Sequence, residues 1–366
     1  MSMKRIFKPS LIALFFFSVW CSNSSAQLIV KPGDPHLSYI GRIAKSLDSV
    51  AFFWPGSTLK MNFTGDAVDV TMRSTREAGY FYAIIDNDAA SAFKFKVDSN
   101  RAEINVAHGL AAGSHSLEIY KLSNNTSKNI LYGLRIGGKA KLLSPTALPI
   151  RKIEFYGNSI TAGHGVDVPP GQKESGTAEF YNNYYTYAAL TARHFGAQYS
   201  FIARGGIGVM VSWFPEIMPE IFDRLDPFDS KSKWDFNKYT PDVVVINLFQ
   251  NDSWLVKLPE HEQFKARFGK KAPTDEFIVD AYQKFVNSIR NKYPKAFIIC
   301  ALGSMDATAP GSKWPGYIEK AVKNINDPKI SSLIFPYKNT GGHPNKKEQR
   351  SMADQLISFI DQHVKW

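Results

Sequence analysis

The chain has almost no cysteine. Of its 366 residues only Cys21 and Cys300 carry a thiol, and Cys21 falls in a segment expected to be removed. A disulfide framework is therefore excluded, and the fold must hold by its own core, which a chain of this length can bury. Cys300, inside the apolar run Ala296 to Leu302, reads as a small buried hydrophobe. Also missing is any apolar run of the roughly 20 residues needed to span a bilayer, so no transmembrane segment is expected. The formal net charge is +11, yet no dense Lys/Arg tract accompanies it. Lys270-Lys271 with Lys265 nearby is too sparse, so the charge reads as solvated surface and nucleic acid is not an expected partner. The histidines lack metal-ligand spacing and no Gly-x-Gly-x-x-Gly is present, so neither a metal nor another cofactor is expected. The Gly-x-Ser-x-Gly elbow is absent as well.

Present at the N-terminus are the parts of a secretory leader. Lys4, Arg5 and Lys8 form a basic segment, Leu11 to Trp20 an apolar one, and Ser24-Ser25-Ala26 a small-residue cleavage site. Residues 1–26 are expected to be removed and the mature chain to be secreted or periplasmic. A lipoprotein reading through Cys21 is disfavoured, because Trp20 stands where a small residue is wanted.

From residue 27 to 145 the pattern is strand-like. Val68, Val70 and Met72 alternate with polar residues, as do Phe93, Phe95 and Val97, then Leu117 and Ile119, and less cleanly Ile130, Tyr132, Leu134 and Ile136. Turn chemistry separates the runs at Thr64-Gly65-Asp66, Asp86-Asn87-Asp88, Ala112-Gly113-Ser114 and Ser123-Asn124-Asn125. An antiparallel, jelly-roll-like β-sandwich is predicted. Ser144 to Pro149 breaks the pattern, and residues 150–366 read as an α/β domain. Strands are predicted at Ile153–Tyr156, Tyr199–Ala203, Val243–Phe249 and Ala296–Leu302. Helices are predicted at Tyr184–Phe195, Asp275–Asn291 and from Asn345, with Glu348 as its capping partner and Met352, Leu356, Phe359 and Ile360 as its apolar stripe. A mostly parallel open sheet flanked by helices follows, with the site beyond the C-terminal strand ends.

Four short blocks sit where such a site would form. Gly157-Asn158-Ser159-Ile160 leaves the first strand. Arg204-Gly205-Gly206-Ile207-Gly208 leaves the second, Gln250-Asn251-Asp252 follows the most apolar strand, and Gly342-His343-Pro344 enters the last helix. A serine on such a turn and a histidine from a distant loop are the materials of a nucleophile and its base. Taken singly, each is as compatible with a turn, a cap or a packed loop. His164, five residues after Ser159, is the rival base, but sharing a loop with the serine places it beside the cleft rather than facing the hydroxyl. Trp213, Trp254 and Trp314 lie in predicted loops near these blocks, with Tyr184 and Tyr185 near the same rim. Their flat faces suit stacking on a sugar, Trp254 foremost. Asp306, after the strand Ala296–Leu302, has no evident partner.

The order of these blocks resembles the SGNH hydrolase superfamily, through Gly157-Asn158-Ser159-Ile160-Thr161, then Gly206, then Asn251-Asp252, then His343-Pro344. The preceding β-sandwich and Gly205-Gly206-Ile207-Gly208-Val209 make it most similar to carbohydrate esterase family 2. The resemblance implies a serine esterase that removes O-acetyl groups from plant-type polysaccharide (xylan, mannan or glucomannan) through an acyl-serine. Ser159 would be the nucleophile and His343 its base. The Ser159 N–H, the Gly206 N–H and the Asn251 side chain would form the oxyanion hole. Two departures stand out. Asn158 replaces the common Asp before the serine, and Thr340 stands three residues before His343, where most of the superfamily has Asp. A Ser–His dyad, oriented by a backbone carbonyl, is therefore expected, the alternative being an acid from elsewhere such as Glu174. The partner would be an acetylated polysaccharide or oligosaccharide, and the protein a monomer. A short-chain lipase or esterase of the same superfamily and a non-catalytic carbohydrate-binding protein are the competing readings.

Overall fold

A computed structural model describes residues 27–123 and 127–366. The expected leader, with Cys21, lies outside the described residues, as does most of the turn Ser123–Asn125. The N-terminal part is two antiparallel sheets. In the first, strands run in the order Ile43–Lys45, Val50–Phe52, Asn129–Ile136, Ala67–Ser74 and Ala102–His108. In the second the order is Lys141–Leu142, Thr58–Thr64, Ser114–Lys121, Gly79–Ile85 and Phe93–Val97. The alternating residues read from the sequence meet between them: Val68, Val70 and Met72 from one sheet face Met61, Phe63, Leu117 and Ile119 from the other in a single buried core. Phe93 departs from the expectation and is exposed at its strand's edge. The uneven run at the end of the domain has a physical cause. A bulge between Leu131 and Gly133 shifts the register against Ala67–Ser74, so Leu131, Leu134 and Ile136 face inward while Ile130 and Tyr132 do not.

The second part is a five-stranded, wholly parallel sheet in the order Gln198–Ala203, Lys152–Gly157, Val243–Asn247, Phe297–Leu302 and Ile330–Ile334. Both faces are covered, so its strands are apolar on both. Ile153, Phe155, Val243, Val245, Ile299 and Ala301 pack on one side with the helices Tyr187–His194 and Lys346–His363. Tyr156, Val244, Ile246, Ile298 and Cys300 pack on the other with the helices Asp275–Lys292 and Trp314–Ile325. Cys300 is thus a buried core thiol, its pKa pushed up to about 12 by burial. The last helix starts as read: Asn345 caps Lys347 and Glu348 and closes a capping box. Met352, Leu356 and Ile360 are buried, whereas Phe359 is only half-buried and stacks on His363. The helix expected from Tyr184 begins only at Tyr187, after a 3₁₀ turn, and the strand expected to reach Phe249 stops at Asn247. The helix Trp314–Ile325 and the edge strand Ile330–Ile334 were not anticipated. No helix among the described residues is long and apolar enough to cross a membrane.

The two parts are locked by a fully buried ion pair. Arg42, from the sandwich, reaches under the parallel sheet and places Nη2 3.0 Å from Oε1 of Glu154, with both side chains at zero exposure. Glu154 also accepts hydrogen bonds from Ser200, Tyr156 and Tyr293, and Arg42 donates to the carbonyls of Phe222 and Arg224. Both carboxylate oxygens and both terminal guanidinium nitrogens are therefore occupied, while Arg42 Nε is buried without a partner; a buried pair so nearly satisfied is tolerable. Replacing Glu154 by Ala strands the guanidinium, and a loss of about 3–5 kcal/mol in unfolding free energy is expected. Urea denaturation measures it; a loss of less than about 1 kcal/mol would mean that this pair does not hold the domains together.

Candidate active site

Three neighbouring strands end at one level of the sheet. Gly157 lies opposite Ala203 on one side and Asn247 on the other, so strand register alone delivers Ser159, Gly206 and Asn251 to the same edge. The sheet order places the first strand between the second and third, and its end is the topological switch point where ligands bind in such folds.

Ser159 opens a short helix, Ser159–Ala162. Asn158 caps it by accepting the Ile160 N–H at 3.0 Å, so the amide supplies the acceptor that an aspartate would offer there, without the charge. Ser159 Oγ lies 2.9 Å from Nε2 of His343, across 184 residues of sequence. On its other side His343 Nδ1 is 2.9 Å from Oε2 of Glu174, whose Oε1 accepts the His343 backbone N–H at 2.6 Å. The histidine is thus oriented by a carboxylate gripping it at two points, and the expected dyad with a backbone carbonyl is not what the structure contains. The ring N–H of His343 holds the Glu174 pKa down to about 2 against the opposing effect of burial. An ionised carboxylate only accepts, so the ring proton sits on Nδ1 and the Nε2 lone pair faces Ser159.

Space for this acid is made by two glycines in left-handed backbone. A Cβ on Gly165 (φ 73°) or on Gly342 (φ 68°) would come 2.6 Å from Glu174 Oε1. Thr340 does not touch His343; its hydroxyl bonds to Glu348 and receives Lys338 Nζ at 2.7 Å. His164 lies flat against His343, ring centroids 4.0 Å apart and planes 16° from parallel. Burial first, then the neighbouring His343, lowers its pKa to about 4. The donor atoms of His164, Glu174 and His343 fall within 4.8 Å of one another. Two stacked imidazoles, however, aim their in-plane lone pairs side by side. One ion about 2.0–2.1 Å from both would lie out of both ring planes, so the trio does not form a convergent metal site.

Across the serine, Asn251 donates from Nδ2 to the Ile207 carbonyl at 2.7 Å and accepts the Trp213 indole N–H on Oδ1 at 3.1 Å. Its orientation is fixed beside the loop that carries Gly206. That loop is held from below by Asp252, a buried carboxylate accepting the N–H groups of Val209, Met210 and Val211. Burial raises the Asp252 pKa to about 6 even against these bonds. Trp213 is 42% exposed, next to Gly206. Trp254 is half-buried and donates to Asp306 Oδ2 at 2.6 Å, while Asp306 Oδ1 accepts from Gln250; the aspartate that lacked a partner in the sequence has two. Two expected sugar contacts are overturned. Trp314 opens a helix and is buried against Phe249 in the core. Tyr184 is buried between the domains, edge-on to Tyr82 and Tyr120. Aromatics near a motif in sequence are drawn inward when an unforeseen helix or a domain contact needs them. Glu174 had no spacing signal; the only trace was the pair of glycines that seat it.

Comparison with known proteins agrees with the two-part fold. Residues 39–145 match the family model Carbohydrate esterase 2 N-terminal, and residues 155–328 match the GDSL-like Lipase/Acylhydrolase family. The chain is similar to the cellulase/esterase CelE of Acetivibrio thermocellus, 32% identical over 86% of this chain, which spans only 38% of that protein. It is 25% identical over its whole length, and the whole of the relative, to an acetylxylan esterase / glucomannan deacetylase of Cellvibrio japonicus. Among solved structures, a family two carbohydrate esterase from Clostridium thermocellum in complex with cellohexaose superposes with TM-score 0.78 at 30% identity, covering 89% of this chain and 98% of that one.

Glu174 gives a pH signature. Its folded pKa, about 2, lies below the ordinary 4.5, so the stability it contributes is complete above pH 4.5 and is lost as pH falls toward 2. The urea midpoint of the natural protein should therefore fall more steeply over that interval than that of Glu174→Gln. Parallel curves would show that the carboxylate gains nothing from His343 in the folded state.

Proposed function

The chain belongs to carbohydrate esterase family 2, within the SGNH hydrolases, and from that membership we propose that it is a secreted serine esterase removing O-acetyl groups from plant-type polysaccharide. The observation that carries the mechanism is the line from Ser159 Oγ through His343 to Glu174, with 2.9 Å at each step. Ser159 Oγ attacks the acetyl carbonyl carbon as its proton passes to Nε2 of His343. Glu174 fixes the ring tautomer and stabilises the imidazolium that forms. The carbonyl oxygen becomes an oxyanion met by the Ser159 and Gly206 N–H groups and by Asn251, which has a second N–H beyond the one on Ile207. Collapse breaks the bond to the sugar oxygen, which takes the proton from His343. Water then repeats the path, releasing acetate and restoring the serine.

The sugar side of the ester is assigned to Trp213 and Trp254. Both indole N–H groups are occupied, by Asn251 and Asp306, which holds the rings still and leaves their faces for apolar contact with a pyranose. Xylan, mannan and glucomannan share the ring chemistry this requires.

Ser159→Ala should abolish acetate release from acetylated xylan and glucomannan while leaving binding of the polysaccharide intact. Equal release by both proteins would end the role of Ser159 as nucleophile, and release by neither would favour a carbohydrate-binding reading. Glu174→Gln should lower kcat about 10²–10⁴-fold, the scale of a lost orienting acid, while Thr340→Ala stays near the natural rate. The reverse ranking in steady-state kinetics would return the acid's role to the residue three before the histidine.

A further inference from the structure

We propose that His164 is a positioning residue for this ester hydrolysis, its ring forming a fixed wall that sets the plane of the His343 imidazole and keeps water from that face. The inference rests on His343 being the base. Ser159 and Glu174 hold His343 at its two ring nitrogens. Two attachments near opposite ends of a ring leave one freedom, rocking about the line that joins them. A flat contact against the ring face removes it.

His164 supplies that contact at 4.0 Å and 16°, and is itself backed by Tyr181, whose ring lies 4.8 Å behind at 27° and whose hydroxyl is 3.3 Å from His164 Nδ1. The three rings form one stack. Its middle member is carried on the nucleophile's own turn, since the backbone N–H groups of Gly163 and His164 both donate to the Ser159 carbonyl, at 2.9 and 3.0 Å. Nucleophile and wall therefore move together. The wall must also be uncharged, or it would repel the imidazolium formed in the reaction. Burial keeps it neutral above about pH 4, and Tyr181 is held protonated by burial. The charges acting on the stack are the Glu174 carboxylate, which acts on both imidazoles and on Tyr181, and Glu77, which acts on Tyr181; Lys338 lies within the field of Glu174. His164 Nε2 is buried with no protein partner, so the contact His164 makes with His343 is through its ring face.

The test compares His164→Ala and His164→Phe on an acetylated xylo-oligosaccharide, with Ser159→Ala as control. Alanine should lower kcat by about 10–100-fold, the scale of a misaligned reacting group, with little change in KM. It should also move the acid limb of the kcat/KM profile to higher pH, because water now solvates the imidazolium. Phenylalanine should restore most of kcat and return the limb. Unchanged kcat and limb in the alanine variant overturn the inference, as does a phenylalanine variant no better than alanine, which would assign the role to the ring nitrogens. Thermal unfolding checks the fold. If alanine does not fold, His164→Leu, which fills the space without a flat face, takes its place with the same expectations. Acetate release surviving Ser159→Ala would defeat the serine mechanism itself, an outcome distinct from a silent His164 variant in an enzyme that needs its serine.

Discussion

A single carboxylate governs the geometry of the site. Glu174 accepts the ring N–H and the backbone N–H of the same histidine. It therefore fixes where His343 enters the site as well as how its ring is turned. Side-chain bonds alone would leave the loop before Pro344 free to shift; the second oxygen removes that freedom. Because Glu174 is ionised far below neutrality, the grip persists wherever a neutral imidazole can act as a base. The proposed nucleophile, base and oxyanion donors come from four separate segments, and this contact ties the His343 segment to the one that follows Ser159.

Glu174 itself sits on a segment without long regular structure, between the helix Ser159–Ala162 and the helix Tyr187–His194. Such a loop cannot hold an acid in place through its own backbone. Its anchors come from the sandwich. Lys94 pairs with Asp167 at 2.8 Å and donates to the Glu179 carbonyl. Tyr82 receives Asn182, and Tyr120 donates to Asn183. Asp167 also pairs with Lys346 at 2.9 Å, at the start of the helix that follows His343. One aspartate thus joins the sandwich, the acid-bearing loop and the base-bearing segment. The sandwich acts as a brace for Glu174, and the buried Arg42–Glu154 pair ties that brace to the parallel sheet.

Legibility in the sequence followed the range of the interactions. The sheet's inner strands, the glycine-rich turn and the capping box Asn345–Glu348 are local, and the local pattern found them, apart from the end of the strand Val243–Asn247. Ser159 and His343, which the structure brings within 2.9 Å, stood out because each sits at an element end with special backbone chemistry. Ile130 and Tyr132 were misplaced because a one-residue bulge reverses a strand's faces without changing its composition. The edge strand Ile330–Ile334 escaped because Ser331 and Ser332 interrupt its apolar character. Glu174 could not be weighed properly at all. Its partner lies 169 residues away, and the acid that such sites often carry beside the histidine was missing at Thr340.

That displacement of the acid changes what the domains mean to one another. An aspartate three residues before the histidine would travel with it on one short loop, and the base would be preassembled whatever the sandwich did. Here Thr340 has joined Lys338 and Glu348 in closing the end of the last helix, and the charge comes from the far side of the nucleophile. Acid and base then come from separate segments, so the contacts that seat the Glu174 loop against the sandwich also support the hydrogen bond that orients His343. The stacked rings of Tyr181, His164 and His343 follow from the same constraint. A base held by groups from opposite sides needs a third support across its face, and the turn that carries the serine is the segment already in reach.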